Sequence, residues 1–250
     1  MNREELALAL DAILDSAKFE DYCPNGLQVE GRLDLRRAIT GVTASQALID
    51  EAIRREADTL IVHHGLFWRG ESPCVVGYRR RRLAALLAHD INLFAYHLPL
   101  DAHPELGNNA QWARAMGWRT TGRFGRQALG FHGEPEEPCT LAELAARTRA
   151  VLGRAPLVVA AGDENRPIRR LAWCSGGAQH YLEEALSLGV DAYLSGEISE
   201  QTPHLARENG LAYLACGHHA SECFGPRALA DWLQRESGLP CEFVDCSNPA

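Results

Sequence analysis

Imidazole and carboxylate side chains follow several β-rich runs of this sequence, where they could bind metal ions. The runs are TLIV, NLFAY, AYLSG and LAYLACG, and the polar residues that follow them are His63, His64, His97, Asp101, Glu197, His218 and Glu222. Histidine and carboxylate groups are the usual ligands of zinc, iron, manganese, cobalt and nickel, and one carboxylate can bridge two ions. Because α/β sheets bind ligands outside the carboxyl ends of their strands, we expect these side chains to share one crevice.

The pairing of histidines distinguishes a metal site from ordinary core histidines. A single histidine at a strand end is more often a core residue bonded to backbone, but this chain has two His-His pairs after β-rich runs. Adjacent side chains of an extended strand point to opposite faces, so His63 and His64 reach one site only if the strand ends there. Gly65 follows them and supports such a turn.

The second histidine pair lies close to a glycine-proline step. The spacing of His218 and Glu222 would place both side chains on one face of a helix. Gly225 and Pro226 follow at once, and proline is favoured in the first turn of a helix. This pattern favours a loop over residues 218–222, with a helix beginning near residue 226.

Other polar groups have an ordinary structural interpretation beside a functional one. The four arginines at 79–82 could hold a phosphate, although four arginines that open a helix more often form a solvated face. Asn108 and Asn109 are typical of a turn and helix cap, and an amide pair near a metal could also orient a substrate. Cys216 could bind zinc as a thiolate, but a small buried hydrophobic residue is the commoner interpretation.

Helical and strand-like patterns alternate along the whole chain. Helical periodicity covers residues 3–17, 46–56, 80–89, 109–116, 140–152, 178–188, 200–209 and 226–236. Short runs rich in β-formers lie between them: ITGVT, TLIVHH, NLFAYH, PLVVAA, LAWCS, AYLSG, LAYLAC and CEFVD. This alternation predicts an α/β protein with parallel or mixed sheets.

An internal repeat relates residues 36–64 to residues 169–197, which lie 133 positions further along. Without a gap, six positions of the first segment are identical in the second: Arg36, Arg37, Gln46, Glu51, Ala52 and Asp58. Each copy has the pattern strand, turn, helix, strand. We therefore predict a duplicated fold, with the break between the halves in the glycine- and proline-containing stretch 120–138.

Composition excludes several classes of protein. The chain has 250 residues, of which 46% are hydrophobic and 23% charged, as in an ordinary globular protein and unlike a disordered or fibrous one. Its net charge of −8 provides no overall basic surface for nucleic acid. The N-terminal pattern is that of an amphipathic helix rather than a signal peptide, and no apolar run could span a bilayer. The eight cysteines form no C-x-x-C pair, so we expect reduced thiols and a cytoplasmic location.

Several short motifs together resemble a known family. They are NGLQV at 25–29, GVT at 41–43, HHGLFW at 63–68, HLPLD at 97–101, SGE at 195–197 and GHHASE at 217–222. In this order they resemble the GTP cyclohydrolase 1 type 2 homologue family, the YbgI-like or NGG-interacting-factor-three-like dinuclear metal-binding proteins. The resemblance runs from the first helix to about residue 248, and the glycine-proline step at 225–226 is its one local departure.

The resemblance implies a fold, a metal site and an assembly. The fold is two intertwined, duplicated α/β repeats with mixed sheets, which we place at residues 1–124 and 125–250. The implied assembly is a homohexameric ring, or toroid. Two divalent metal ions per subunit are implied, of which zinc, manganese, iron, cobalt and nickel are candidates. By position the ligands fall on His63, His64, Asp101, His218 and Glu222, and further polar site positions fall on His97 and Glu197.

The expected activity is hydrolysis by metal-activated water. A dinuclear centre lowers the pKa of bound water toward about 7 and contacts both the attacking and leaving oxygens. His97 or Glu197 could then carry the proton. The family name suggests ring hydrolysis of a guanine nucleotide or clearance of damaged nucleotides, and no P-loop, GxSxG or GxGxxG motif points elsewhere. The alternatives are a non-catalytic metal-handling protein and a ring associated with nucleic acid.

Overall fold

The chain folds into two compact units, each formed by two separate segments of the sequence. The computed structural model describes residues 1–163 and 165–250. The first unit contains Met1–Leu106 and Gly225–Ser247, and the second contains Gly107–Phe224 and Asn248–Ala250. The chain therefore leaves the first unit and later returns to it. The predicted repeats at 1–124 and 125–250 divide the chain elsewhere, and their boundary stays a prediction because compactness does not test duplication.

The first unit is a sheet with helices on both faces. Its elements are α1 Arg3–Leu14, β1 Gly26–Val29, β2 Ala38–Thr43, α2 Gln46–Arg54, β3 Thr59–His64, α3 Gly77–Ala88, β4 Asn92–Ala95 and α4 Leu98–Ala102. The strand order is β1-β4-β3-β2, extended by a last strand from the chain's C-terminal part. Strands β2, β3 and β4 run parallel, and β1 pairs antiparallel with β4.

The second unit has a mixed sheet of similar design. Its elements are α5 Asn108–Met116, β5 Trp118–Phe124, β6 Gly130–Pro135, α6 Leu141–Leu152, β7 Leu157–Val159, β8 Leu171–Cys174, α7 Leu182–Ser187, β9 Ala192–Ser195, α8 Thr202–Glu208, β10 Ala212–Ala215 and α9 His218–Ser221. The strand order is β5-β6-β8-β9-β10-β7, with β8, β9 and β10 parallel. The chain then forms α10 Phe224–Ser237 and β11 Cys241–Phe243, and β11 pairs parallel with β2 in the first sheet.

Alternating burial along the first sheet explains its two helix layers. Ile61 and Phe94 pack in the cluster that contains α1 and α10, whereas Leu60 and Val62 pack in the cluster that contains α2 and α3. Successive strand residues point to opposite faces, so a continuous apolar run buries both sides of the sheet. Helix α1 begins with a capping box in which Asn2 and Glu5 each bond the other's backbone amide.

Strands β5 and β6 cover most of the stretch 120–138, where the sequence predicts the break between the halves, and the position of that break stays a prediction. Strands β5 and β6 form an antiparallel pair, and β6 also pairs with β8. Only the two end residues of β5, Trp118 and Phe124, are buried. The residues of β5 between these two ends are polar and mostly exposed. The strand therefore lacks the apolar run from which the other strands are predicted.

The two units repeat one strand-helix-strand arrangement in the same register. Ala38 lies opposite Thr59 in the first sheet, and Leu171 lies opposite Ala192 in the second. Both residues of the second pair lie 133 positions after those of the first, which is the same spacing that relates the matching residues of the sequence repeat. The predicted α/β fold with duplicated repeats and mixed sheets is confirmed.

A matching aspartate stabilises each copy at the amino end of its central strand. In the first unit, the Asp58 carboxylate accepts hydrogen bonds from the Arg36 and Arg37 amides at 2.8 and 3.4 Å. In the second, the Asp191 carboxylate accepts from the amides of both matching arginines at 2.9 and 3.0 Å. These bonds fix the chain where β2 and β8 begin. They thereby hold the carboxyl ends of the neighbouring strands in register.

Within the described residues, no helix is long and apolar enough to cross a membrane.

Candidate metal centre

The first unit places His63 at the end of β3 with a defined hydrogen position. The imidazole is fully buried, and its Nδ1 lies 3.1 Å from the carbonyl oxygen of Tyr96. Since a carbonyl oxygen only accepts, Nδ1 carries the hydrogen and Nε2 keeps its lone pair. That Nε2 lies 3.5 Å from Oδ1 of Asp101, which is also buried. A neutral imidazole in this tautomer ligates metals through Nε2.

His64 is the last residue of β3, so both histidines lie on the same side despite being adjacent. The centroids of the His63 and His64 rings are 4.5 Å apart, and Nδ1 of His64 lies 3.2 Å from the Thr43 hydroxyl. The chain turns at Gly65, where the carboxamide of Gln28 occupies the space of a Cβ. The expectation that the strand ends at this pair is confirmed.

His97 lies beside both histidines, in the turn between β4 and α4. Its ring centroid is 5.0 Å from that of His63 and 5.6 Å from that of His64. These three imidazoles each have a ring nitrogen within 4.8 Å of the others, so the group could hold a metal ion. The His97 amide donates to Oδ1 of Asn25 at 2.8 Å, which fixes the backbone of the turn.

Asp21 orients the imidazole of His97 through a hydrogen bond to its Nδ1. Its Oδ1 lies 2.8 Å from Nδ1 of His97, and its Oδ2 accepts from the Asn25 side chain and the Leu98 amide. Burial raises the pKa of this carboxyl, but the hydrogen bond and charge of His97, with the other donors, lower it further, to about 2. Asp21 is thus ionised and accepts the Nδ1 hydrogen. Sequence reasoning missed Asp21, and its one signal is its place four residues before the NGLQV motif.

The second unit holds His218 between two carboxylates. Its Nδ1 lies 2.7 Å from Oε1 of Glu197, and its Nε2 lies 3.1 Å from Oε2 of Glu222. Burial of the imidazole lowers its pKa, but Glu222 and Glu197 raise it further, to about 9. Glu222 is itself buried, and the other oxygen of Glu197 accepts from Gln179 at 3.2 Å.

Residues His218–Ser221 form the short helix α9, so the prediction of a loop at 218–222 is wrong. Gly217, with a φ of 98°, turns the chain into this helix. Pro226 lies in the first turn of the separate helix α10, as expected, and does not disturb α9. Glu222 follows directly as the C-terminal cap residue, which leaves it near His218.

A glycine and a serine support the second group. Gly176 has a φ of 65°, and a Cβ there would collide with the Glu222 carboxylate. The Gly176 amide donates to Oγ of Ser221 at 3.0 Å, and that hydroxyl donates to the His218 carbonyl at 2.8 Å. The Glu222 carboxylate therefore packs directly on backbone, where a side chain would exclude it.

Three of the weaker sequence candidates, Asn109, Arg79 and Cys216, have structural roles. Oδ1 of Asn109 accepts a hydrogen bond from the Ser175 backbone amide at 2.8 Å, so the Asn109 side chain anchors the loop that contains Ser175. The guanidinium of Arg79 is bound to Glu71 and the Ser72 carbonyl. Cys216 is fully buried, and burial raises the pKa of its thiol, as suits a small core residue.

The predicted site residues thus form one group in each unit. His63, His64, His97 and Asp101 lie together in the first, and Glu197, His218 and Glu222 lie together in the second. Each group could contribute metal ligands, because imidazole and carboxylate atoms converge in it. The assignment of five of these residues as ligands of two ions stays a prediction.

The sequence and the fold match known proteins over nearly the whole chain. The chain matches the family described as Duf34/NIF3 (NGG1p interacting factor 3) over residues 1–249. It is 54% identical to a protein named GTP cyclohydrolase 1 type 2 homolog from Pseudomonas aeruginosa, over 96% of this chain and 95% of that protein. A solved structure of protein ybgI, described as of unknown function, has a TM-score of 0.97 and 51% identity, with full coverage of both chains. The crystal structure of TTHA1606 from Thermus thermophilus has a TM-score of 0.92 and 36% identity, again with full coverage.

We expect Asp21→Asn to destabilise the protein in a pH-dependent way. An amide cannot accept all the hydrogen bonds of this carboxylate, and their loss costs about 1–3 kcal/mol at pH 7. Because the folded-state pKa of about 2 lies below the ordinary value of 3.8, this stabilisation is present above pH 4 and disappears toward pH 2. Urea unfolding of both proteins from pH 7 to pH 3 measures the difference. The neighbouring exposed Glu20→Gln is the control, and a difference that does not change with pH would contradict the assignment.

Proposed function

Because the chain belongs to the Duf34/NIF3 family, we propose that it is a hydrolase that uses two divalent metal ions. The ligands in this proposal are His63, His64, Asp101, His218 and Glu222. One observation carries the proposal. In each unit, the Nδ1 of an imidazole is bonded to an accepting oxygen and its Nε2 faces a buried carboxylate. In the first unit, His63 lies between the Tyr96 carbonyl and Asp101. In the second unit, His218 lies between Glu197 and Glu222.

The side chains present suit a divalent cation. A histidine that ligates a metal typically donates its other ring hydrogen to a carbonyl or carboxylate, which fixes the tautomer. His63 and His218 both make this contact. Asp101 and Glu222 are buried carboxylates beside these imidazoles, and a bound cation would offset the cost of burying their charge.

Two residues of the first unit are placed for proton transfer. Divalent cations at such a site supply Lewis acidity and lower the pKa of bound water toward about 7. With its Nδ1 hydrogen bonded to Asp21, His97 can transfer a proton through Nε2. The pair thus resembles the imidazole and carboxylate of other general bases, in which the carboxylate fixes the tautomer.

Glu197, the other predicted proton carrier, acts in this proposal through His218. One of its oxygens faces Nδ1 of His218 and the other accepts from Gln179. Both oxygens are therefore engaged with protein groups that hold the carboxylate in place. Orientation of a ligating imidazole by such a carboxylate is worth about 10–100-fold in metal affinity or activity.

The substrate class that we propose is a small nucleotide, attacked at a ring carbon or a phosphoester. Support comes from the name of the relatives, GTP cyclohydrolase 1 type 2 homolog, which describes those proteins. The alternative is a metal-handling protein without catalysis, which would use the same ligands and in which Asp21 would only orient His97.

We expect Asp101→Ala and His97→Ala to fail in different ways. Asp101 supplies the carboxylate near His63, so its loss removes metal and with it all activity. His97→Ala keeps the metal, and turnover falls by about 10²–10⁴-fold through loss of acid–base catalysis. Bound metal and single-turnover rate are measured with Mn²⁺, Zn²⁺ or Fe²⁺ on a panel of nucleotides and phosphoesters.

The exposed histidine His204 of α8 provides the control variant, His204→Ala, which should retain both metal and rate. Metal loss from His97→Ala with retention in Asp101→Ala would reverse the two roles. If the metal-loaded protein converts nothing in the panel, the hydrolase proposal fails and the metal-handling alternative replaces it.

We further propose that the chain assembles into a closed ring of six subunits, as its family resemblance implies. Light scattering at micromolar concentrations measures the mass directly. A mass of six chains is expected, and a monomer across this range would refute the ring.

A further inference from the structure

A cavity rich in arginine lies at the opposite end of the first sheet from the imidazoles. Its volume is about 760 Å³, and its lining includes Arg32, Arg36, Arg37, Arg54, Arg55 and Asp58. Arg37 and Asp58 directly precede β2 and β3, so the cavity lies at the amino ends of these strands. His63 and His64 occupy the carboxyl end of β3, about 15–20 Å away along a six-residue strand. The cavity is therefore separate from the candidate metal centre.

Several charged groups around the cavity already neutralise one another. Arg54 and Arg55 contact Glu51, and Arg55 also contacts Glu242 at 2.7 Å. The Asp58 carboxylate accepts from backbone amides. Arg54 and Arg55 also lie at the C-terminus of α2, where a positive charge is favourable on its own. These groups do not require a ligand.

Arg32 and Arg36 differ from the other arginines of the cavity. Among residues 1–163 and 165–250, no carboxylate forms an ion pair with either guanidinium. Both belong to the segment between β1 and β2, outside any helix. Their backbones are fixed, because the Arg32 amide donates to the Asp90 carbonyl at 3.0 Å and the Arg36 amide donates to Asp58 at 2.8 Å. Two exposed guanidinium groups therefore line one concave surface of a chain whose net charge is −8.

The second copy of the repeat provides an internal comparison. At the positions that match Arg32, Arg54 and Arg55, it has Asn165, Ser187 and Leu188. It retains Arg169 and Arg170 at the positions of Arg36 and Arg37, and Arg170 donates to the Leu188 carbonyl at 2.7 Å. The shared fold therefore does not need the additional arginines of the first copy.

We propose that this cavity is a binding site for a polyphosphate group, with Arg32 and Arg36 as its main contacts. Guanidinium groups bind phosphate oxygens through paired hydrogen bonds and stay charged at any physiological pH. The volume lies within the roughly 300–1,000 Å³ typical of small-molecule sites, so a phosphorylated small molecule fits better than one phosphate ion alone. A concave site in an acidic chain favours such a molecule over nucleic acid, which requires an extended basic surface.

The test is calorimetric titration of the full-length protein with inorganic triphosphate. We expect binding by the wild type and at least tenfold weaker binding by the double variant Arg32→Gln with Arg36→Gln. The matched control is Arg114→Gln with Arg149→Gln, which removes the same charge from exposed positions of α5 and α6 and should change affinity less than twofold. Triphosphate bound at a metal centre would be common to both double variants, so their difference isolates the cavity.

Three outcomes would overturn the proposal. The first is that the wild type does not bind triphosphate at millimolar concentration, and the second is that both double variants weaken its binding equally. The third is that a duplex oligonucleotide binds more tightly than triphosphate and that the Arg32→Gln and Arg36→Gln double variant loses this binding. Metal content of the first double variant is measured in parallel and should equal that of the wild type. Failure here would thus be distinguishable from failure of the proposed metal-dependent activity.

Discussion

The candidate site depends on one kind of interaction, the anchoring of each imidazole through its Nδ1. Tyr96 anchors His63, Asp21 anchors His97 and Glu197 anchors His218, at 3.1, 2.8 and 2.7 Å. Each anchor fixes the ring orientation and places a hydrogen on Nδ1, so that Nε2 is the ring nitrogen left for a metal or for proton transfer. The anchor of the fully buried His63 ring is a carbonyl oxygen, whereas the anchors of the less buried His97 and His218 rings are carboxylates. The metal-binding and proton-transfer properties that we propose both follow from these anchors.

The fold supplies the anchors by using one arrangement twice. In each unit, parallel strands end at a common edge, and an aspartate at the opposite edge bonds the two amides that precede a strand. The same register then delivers different residues in the two copies. His64 and Glu197 occupy matching positions, 133 residues apart, and one is a candidate ligand while the other orients a candidate ligand. Duplication followed by such differences is a simple route to two groups of ligands with different chemistry.

Much of the fold could be predicted because the strands that carry the site are continuous apolar runs. β3, β9 and β10 appear in the sequence as TLIVHH, AYLSG and LAYLAC, and their ends locate His63, His64, Glu197 and His218. The polar strand β5 has no such run, and the short helix α9 lies too close to Pro226 for local rules to separate them. Asp21 and Glu197 illustrate a different limit, since their contacts with His97 and His218 span 76 and 21 residues. Roles of this kind arise from tertiary structure, which local patterns do not encode.

The most direct test of this account is the affinity of Glu197→Gln for Zn²⁺, measured by equilibrium competition with a chelating dye. The wild type should bind two ions per chain. Because the amide no longer accepts the Nδ1 hydrogen as a carboxylate does, the variant should bind about 10–100-fold more weakly while its unfolding transition stays cooperative. An unchanged affinity in the variant, or a wild type that binds no Zn²⁺, would contradict the claim that anchored imidazoles form a metal centre.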